Sequence, residues 1–290
     1  VMGREALRNN TSGNENVAIG SYAGYDIAST HYNTCVGHQA GRYQTAHGGT
    51  YIGWYAGRGR TAGNDNTAVG RYSMGSGAGD ASSNTAIGYA ALYELTTGDN
   101  NSAIGNEAGK SNTTGSNNTM LGHQAGQSNS PAGQMQGDNN TICLGNDSVS
   151  NLFCNDTSIS SSDSRDKTDI TNFTSGLSWI NSLRPVTYKW DKRSWYLGEG
   201  EDDITKVTRD GSKKRSKVNI GFIAQEVLDI EKSNGFGDTE DTMLTVNLTS
   251  DGKRYGLKYE RLIPVLVNAI KELSAKNDAL EARLTTLEAA

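Results

Sequence analysis

The chain lacks most of what builds a large globule or a covalently stapled one. Its 290 residues include only three cysteines, three prolines, four phenylalanines and five methionines. Hydrophobic residues make up 34%, against about 45–50% in ordinary soluble domains, so a single large apolar core is excluded. Cys35, Cys143 and Cys154 are too few for a disulfide scaffold, and none stands in a C-x-x-C metal or redox spacing. They read as reduced, small apolar residues, compatible with synthesis in a cytoplasm. No apolar run approaches the ~20 residues that span a bilayer, so membrane insertion is not expected. Nor does a charged-then-apolar leader open the sequence; Val1 reads as a fragment boundary. The net charge of −5 and the absence of a basic face speak against a nucleic-acid partner.

Glycine, by contrast, is abundant and unevenly spread. Residues 1–161 hold 26 of the 35 glycines and only 18 charged residues, whereas residues 162–290 hold 9 glycines and 41 charged residues. Two chemistries meet near residue 161.

The first part repeats. Variants of Asn-Thr-Ala-Ile-Gly end at Gly20, Gly37, Gly53, Gly70, Gly88, Gly105 and Gly122, with a truncated copy at Gly3 and an offset one at Gly145. From Gly3 the steps are 17, 17, 16, 17, 18, 17, 17 and 23 residues. A second glycine often follows four residues later, at Gly24, Gly41, Gly57, Gly109 and Gly126. Each unit offers one short strand and a polar linker, buries roughly two apolar side chains, and cannot fold alone, so neighbours must stack as in a solenoid. Small residues such as Ala18, Ala68, Ala86 and Ala103 imply a thin interior or tight packing between chains. A flexible linker shares the Gly/Ser/Asn richness, but it has no reason to keep Ile, Val or Leu before each repeated glycine. A parallel β-solenoid or β-roll, built as a trimeric fibre, is expected. The repeat phrase resembles head repeats of trimeric autotransporter adhesins and repeats in phage tail-fibre shafts.

Two side-chain sets in the repeats were weighed for chemistry. His38 and His123 open identical His-Gln-Ala-Gly phrases 85 residues apart. No second ligand type repeats with them, so no metal and no cofactor is expected. Tyr22, Tyr43, Trp54, Tyr55, Tyr72, Tyr89 and Tyr93 cluster after the repeated glycines. They fit either a receptor or glycan platform or packing between rungs.

At the composition break stands Ser160-Ser161-Ser162-Asp163-Ser164-Arg165-Asp166-Lys167. A serine near a lysine can form a nucleophile–base pair if burial lets the amine accept the hydroxyl proton. On these residues alone, a polar helix-capping linker is the competing reading. Ser164-x-x-Lys167 also matches the S-x-x-K of penicillin-recognising enzymes, but their Ser-Asp-Asn and Lys-Thr-Gly elements are missing.

Downstream come Trp179-Ile180-Asn181-Ser182-Leu183-Arg184-Pro185-Val186-Thr187-Tyr188-Lys189-Trp190, then Gly221-Phe222-Ile223-Ala224-Gln225-Glu226-Val227, then Tyr255-Gly256-Leu257-Lys258-Tyr259 before a long helix. This ordered set resembles the C-terminal intramolecular chaperone of phage tailspikes and tail fibres, the endosialidase-type auto-processing domain. The resemblance implies a shaft over residues 1–161, a chaperone over 162–290 and self-cleavage between Ser161 and Ser162. It makes Ser162 the nucleophile and Lys167 the base of a single-turnover Ser–Lys dyad, with Asp163 and Arg165 in support. Lys167 is expected to become buried only on assembly.

The terminal helix is legible without the family. Ile263, Leu266, Ile270, Leu273, Asn277, Leu280, Leu284 and Leu287 alternate steps of three and four, an a/d seam. A small α+β chaperone domain ending in a trimeric coiled coil over about 259–288 is expected, with Asn277 at an a position fixing register. The segment from Ser194 to Lys217 carries adjacent acidic and basic runs and reads as a solvated insertion. These features lead to a homotrimeric tail-fibre or tailspike end of a virion, assembled in the host cytoplasm, whose partner is a host surface receptor, either an outer-membrane protein or a glycan. The rivals are a trimeric adhesin fragment that only binds, and a glycan-degrading tailspike. The latter would need paired carboxylates in a groove, and the repeats offer only scattered ones such as Asp26, Asp65, Asp80 and Glu94.

Overall fold

The structure is a computed structural model and describes residues 1–59, 62–77, 79–153, 162–198 and 201–289. Cys154 and Ser161 lie outside the described residues. The chain forms two compact units, Val1–Asn151 with Lys192–Lys213, and Leu152–Asp191 with Lys214–Ala290. They interleave in sequence.

The first unit is the expected parallel β-solenoid. Its strands are β1 (Val17–Ile19), β2 (Thr34–Val36), β3 (Thr50–Ile52), β4 (Thr67–Val69), β5 (Thr85–Ile87), β6 (Ser102–Ile104), β7 (Thr119–Leu121) and β8 (Ile142–Leu144). They pair in sequence order in one sheet, and the register repeats: Ala68 faces Ala86, which faces Ala103. The repeated glycine explains how the rungs come so close. Gly88 sits at φ +132°, and a Cβ there would lie 2.3 Å from the carbonyl oxygen of Gly105 on the next rung. No L side chain fits between backbones stacked that tightly.

The core is two columns of small side chains. The middle residue of each strand points inward, Ala18, Cys35, Tyr51, Ala68, Ala86, Ala103, Met120 and Cys143, and all eight are buried. Three residues beyond each glycine, Ala23, Ala40, Ala56, Ser73, Ala91, Ala108 and Ala125 form the second column. The interior keeps its volume by exchange between neighbours. Gly57 lies against the buried Tyr51 ring, while Met74 and Leu92 occupy the equivalent position beside the smaller Ala68 and Ala86 rungs.

A third column is polar. Asn33, Asn66, Asn84, Asn101 and Asn118 precede their strands and are buried. The Oδ1 of Asn84 accepts from the Asn101 backbone N–H at 2.9 Å, and that of Asn101 accepts from Asn118 N–H at 3.0 Å. The asparagine of the repeat phrase is therefore an internal hydrogen-bond ladder that satisfies backbone donors away from water. The aliphatic residue before each glycine points outward instead: Ile19, Ile52, Ile87, Ile104, Leu121 and Leu144 are each 38–44% exposed.

Residues Lys192–Lys213 belong to this unit. Asp147, 4% exposed, accepts from Lys192 Nζ at 3.1 Å and from the Ser194 hydroxyl. Ser194 and Ile204 are buried. The expected solvated insertion is thus anchored at its start, because a buried carboxylate must be met by donors.

The second unit contains α1 (Leu177–Ser182), a β9 (Val186–Lys189)–β10 (Val218–Gly221) antiparallel pair and α2 (Ala224–Ser233). A second antiparallel pair, β11 (Val246–Leu248) with β12 (Tyr255–Leu257), precedes α3 (Ile263–Glu288). Trp179 of α1 is buried among Phe173 and Phe236. Val227 and Leu228 of α2 pack with Val246. On α3, Val265 and Ala269 are buried, Asn268 Nδ2 donates to the Phe173 carbonyl at 2.7 Å, and Glu272 accepts from Leu177 N–H at 3.2 Å. The seam positions Ile263, Leu266, Ile270, Leu273, Leu280, Leu284 and Leu287 are all exposed.

Candidate self-processing site

The local sequence makes a tight turn at the start of residues 162–290. Ser164–Asp166 form a single 3-10 turn with Asp163 as its N-cap, whose carboxylate accepts from Arg165 N–H at 2.9 Å. The Arg165 guanidinium folds back on the same carboxylate, with Nε donating at 3.0 and 3.1 Å. That hydrogen bond from Arg165 holds the Asp163 carboxyl below its usual range and raises the Arg165 guanidinium in turn. Asp163 and Arg165 therefore stabilise the turn by binding each other.

The turn returns the chain so that Lys167 reaches Ser162. Lys167 Nζ donates to Ser162 Oγ at 2.7 Å. Both residues are exposed in the single chain. As drawn, the ammonium donates; a base must do the reverse and accept the hydroxyl proton, which a lysine does once water is removed from it. Ser161, which would supply the acyl group, lies outside the described residues.

Elsewhere the second unit has contacts that the motif reading missed. Glu231 is wholly buried, and its carboxylate accepts from the backbone N–H groups of Leu244, Thr245 and Val246 and from the Thr245 hydroxyl. It thereby ties α2 to the start of β11. The signal was present in sequence: Val227, Leu228 and Glu231 share one helical face by spacing, so the glutamate falls where an apolar residue is expected. Arg184 and Glu226, which stood in the quoted blocks without a role, pair through Arg184 Nε at 3.1 Å. A Cβ on Gly221 would lie 2.5 Å from the Tyr259 hydroxyl, so a larger residue there would displace that side chain.

Residues 162–236 match the family described as chaperone of endosialidase. The match opens on Ser162, runs through α2 and ends at Phe236. The match supports an intramolecular-chaperone character for this stretch and implies, at a coarse level, activity of the self-cleaving serine-peptidase type. No curated protein and no solved structure matches the chain.

Other candidates stand apart. His38 Nε2 contacts the Gln39 amide at 3.1 Å, and His123 Nδ1 contacts the Asn146 amide at 3.1 Å. Among the described residues no group of three metal-ligating side chains converges. Cys35 and Cys143 are free and buried, and burial pushes the Cys35 thiol up to about 12.

Proposed function

We propose that this chain is the distal part of a phage tail fibre or tailspike. Residues 1–161 form a host-binding homotrimeric fibre, and residues 162–290 drive its trimerisation before cutting themselves off. The 2.7 Å contact between Lys167 Nζ and Ser162 Oγ, at the first residue of the chaperone match, carries this reading.

The chemistry balances within the chain. Ser162 Oγ attacks the Ser161 carbonyl carbon and passes its proton to a neutral Lys167. The peptide nitrogen leaves as the Ser162 amine, taking the proton back, and the Ser161 acyl group is now an ester on Oγ. Water hydrolyses that ester to a Ser161 carboxylate and the regenerated hydroxyl. Assembly is the switch, because only a neighbouring surface can desolvate an ammonium that is exposed in the single chain. The virion is the implied destination, with assembly in the host cytoplasm.

Two exposed apolar rows support self-association. The aliphatic stripe before the glycines runs the length of the solenoid, and the α3 seam runs exposed beside the face that its own unit buries. Parallel association of α3 through this seam would hold three chain ends together and set the solenoid segments in register. In-register alignment is the slow step for stacked strands, since slipped pairings differ little in energy.

The test compares denatured masses of the full chain and its Ser162→Ala and Lys167→Ala variants, alongside sedimentation. Wild type should split into pieces of 161 and 129 residues and sediment as a trimer, with both variants whole. A wild-type trimer that stays whole refutes the dyad and leaves the binding-only adhesin reading.

A further inference from the structure

Host binding by the fibre, which this inference takes as its premise, needs a surface. We propose that an arginine–aromatic stripe on rungs β1 to β5 binds a carboxylate-bearing polysaccharide chain laid along the solenoid axis.

The stripe is built by stacking. The Arg42 guanidinium lies 5.0 Å from the Tyr22 ring centroid and 4.9 Å from that of Tyr43. Arg58 lies 4.6 Å from Tyr55 and 5.7 Å from Tyr43. Arg71 lies 4.9 Å from Tyr89 and 5.8 Å from Trp54. Cations and rings thus alternate down five rungs, about 19 Å at the usual strand spacing. Tyr43, Trp54, Arg71 and Tyr89 are exposed.

The charge is uncompensated. Arg42 Nη1 donates to the Gln39 amide oxygen at 2.9 Å, but Arg42, Arg58 and Arg71 make no ion pair among the described residues. The Nε groups of Arg42 and Arg58 are buried with no hydrogen-bond partner among those residues. One rung further on the pattern changes: Lys110 pairs with Glu107 at 2.7 Å. A guanidinium stacked on a ring keeps its edge donors directed sideways, the geometry that takes a carboxylate bidentately. Exposed Trp and Tyr faces between the cations suit the apolar faces of sugar rings.

The occupant follows from shape and charge. A polyphosphate offers no apolar faces to the exposed Tyr and Trp rings between the cations. A folded protein needs about 800 Å² per partner, far wider than a single row of side chains. A linear acidic glycan fits both limits.

The experiment titrates the full chain calorimetrically with an oligogalacturonate and with a neutral maltooligosaccharide, at low and high salt. Wild type should prefer the oligogalacturonate at least tenfold, with affinity falling as salt rises. The triple variant Arg42→Gln, Arg58→Gln, Arg71→Gln should lose at least tenfold while keeping its melting temperature and sedimentation. Arg71→Lys should recover little, because an ammonium lacks the planar fork. Equal affinity for the two sugars, no oligogalacturonate binding, or unchanged binding by the triple variant overturns the proposal. A changed sedimentation coefficient in that variant also overturns it, since the stripe would then be a contact between copies. Host-cell adsorption separates this site from its premise. If wild type and triple variant adsorb alike, the stripe is refuted and host binding stands. If neither adsorbs while the oligogalacturonate arm behaves as expected, host binding is refuted and the stripe stands.

Discussion

Replacing Gly88 with alanine probes the feature on which the whole solenoid depends. The position has φ +132°, where an L residue is strained by about 1–3 kcal/mol. Its Cβ would also stand 2.3 Å from the Gly105 oxygen, a backbone atom held in the next rung. Forcing the rungs apart adds a further cost of about 1–3 kcal/mol, giving roughly 2–6 kcal/mol altogether. In a stacked array that loss falls on one neighbour interface, between β5 and β6, rather than being shared. Gly109→Ala is the control. Gly109 has φ +59°, and its Cβ would meet the flexible side chains of Met120 and Leu92 at 2.7 and 2.8 Å. Equivalent positions already carry Met74 and Leu92 at φ 48°. Its cost should be about 1–2 kcal/mol, the penalty for a left-handed residue. Denaturant unfolding of the full chain, followed by circular dichroism, should rank wild type above Gly109→Ala and Gly88→Ala last. If the two variants fall within about 0.5 kcal/mol of each other, close approach of rung backbones is not what the repeated glycine provides.

Asn101→Ala should cost about 1–3 kcal/mol in the same assay, because it orphans the buried Asn118 N–H, while the Gly115 carbonyl keeps its bond from Asn112 Nδ2. Cys35 should resist thiol reagents at pH 9 in the folded chain and react fully when unfolded. Because its thiol is raised on folding, that stabilising contribution is complete below the ordinary thiol pKa and disappears as pH rises from there toward about 12. After self-cleavage the two pieces should co-elute under native conditions, since Lys192 and Ser194 hold Asp147 across the cut; Asp147→Ala should release them. Native size-exclusion of the cut chain distinguishes the two outcomes.

The self-processing turn was readable as a pattern of residue types, since Ser162, Asp163, Arg165 and Lys167 stand within six positions and local geometry follows from local sequence. Positions such as Glu231 were harder, because its partners Leu244, Thr245 and Val246 lie more than ten residues away and carry no motif. Asp147 and Lys192 are separated by 45 residues, so the anchoring of the insertion left no trace in the charge runs that marked it as solvated.

By itself the sequence determined the solenoid period, the need for glycine at each turn and the two apolar rows. These depend on spacing and on what a backbone can do without a Cβ. The small residues Ala18, Ala68, Ala86 and Ala103 already marked the inner side of each strand, and only the tertiary structure decided how much of the other side is left exposed. In Thr85-Ala86-Ile87 alternation alone allows either the alanine or the isoleucine face to be buried. Stacking so close that a Cβ on Gly88 would strike Gly105 leaves a bore that only alanine-sized residues can line repeatedly. The isoleucines are therefore turned outward, onto the exposed surface of the solenoid.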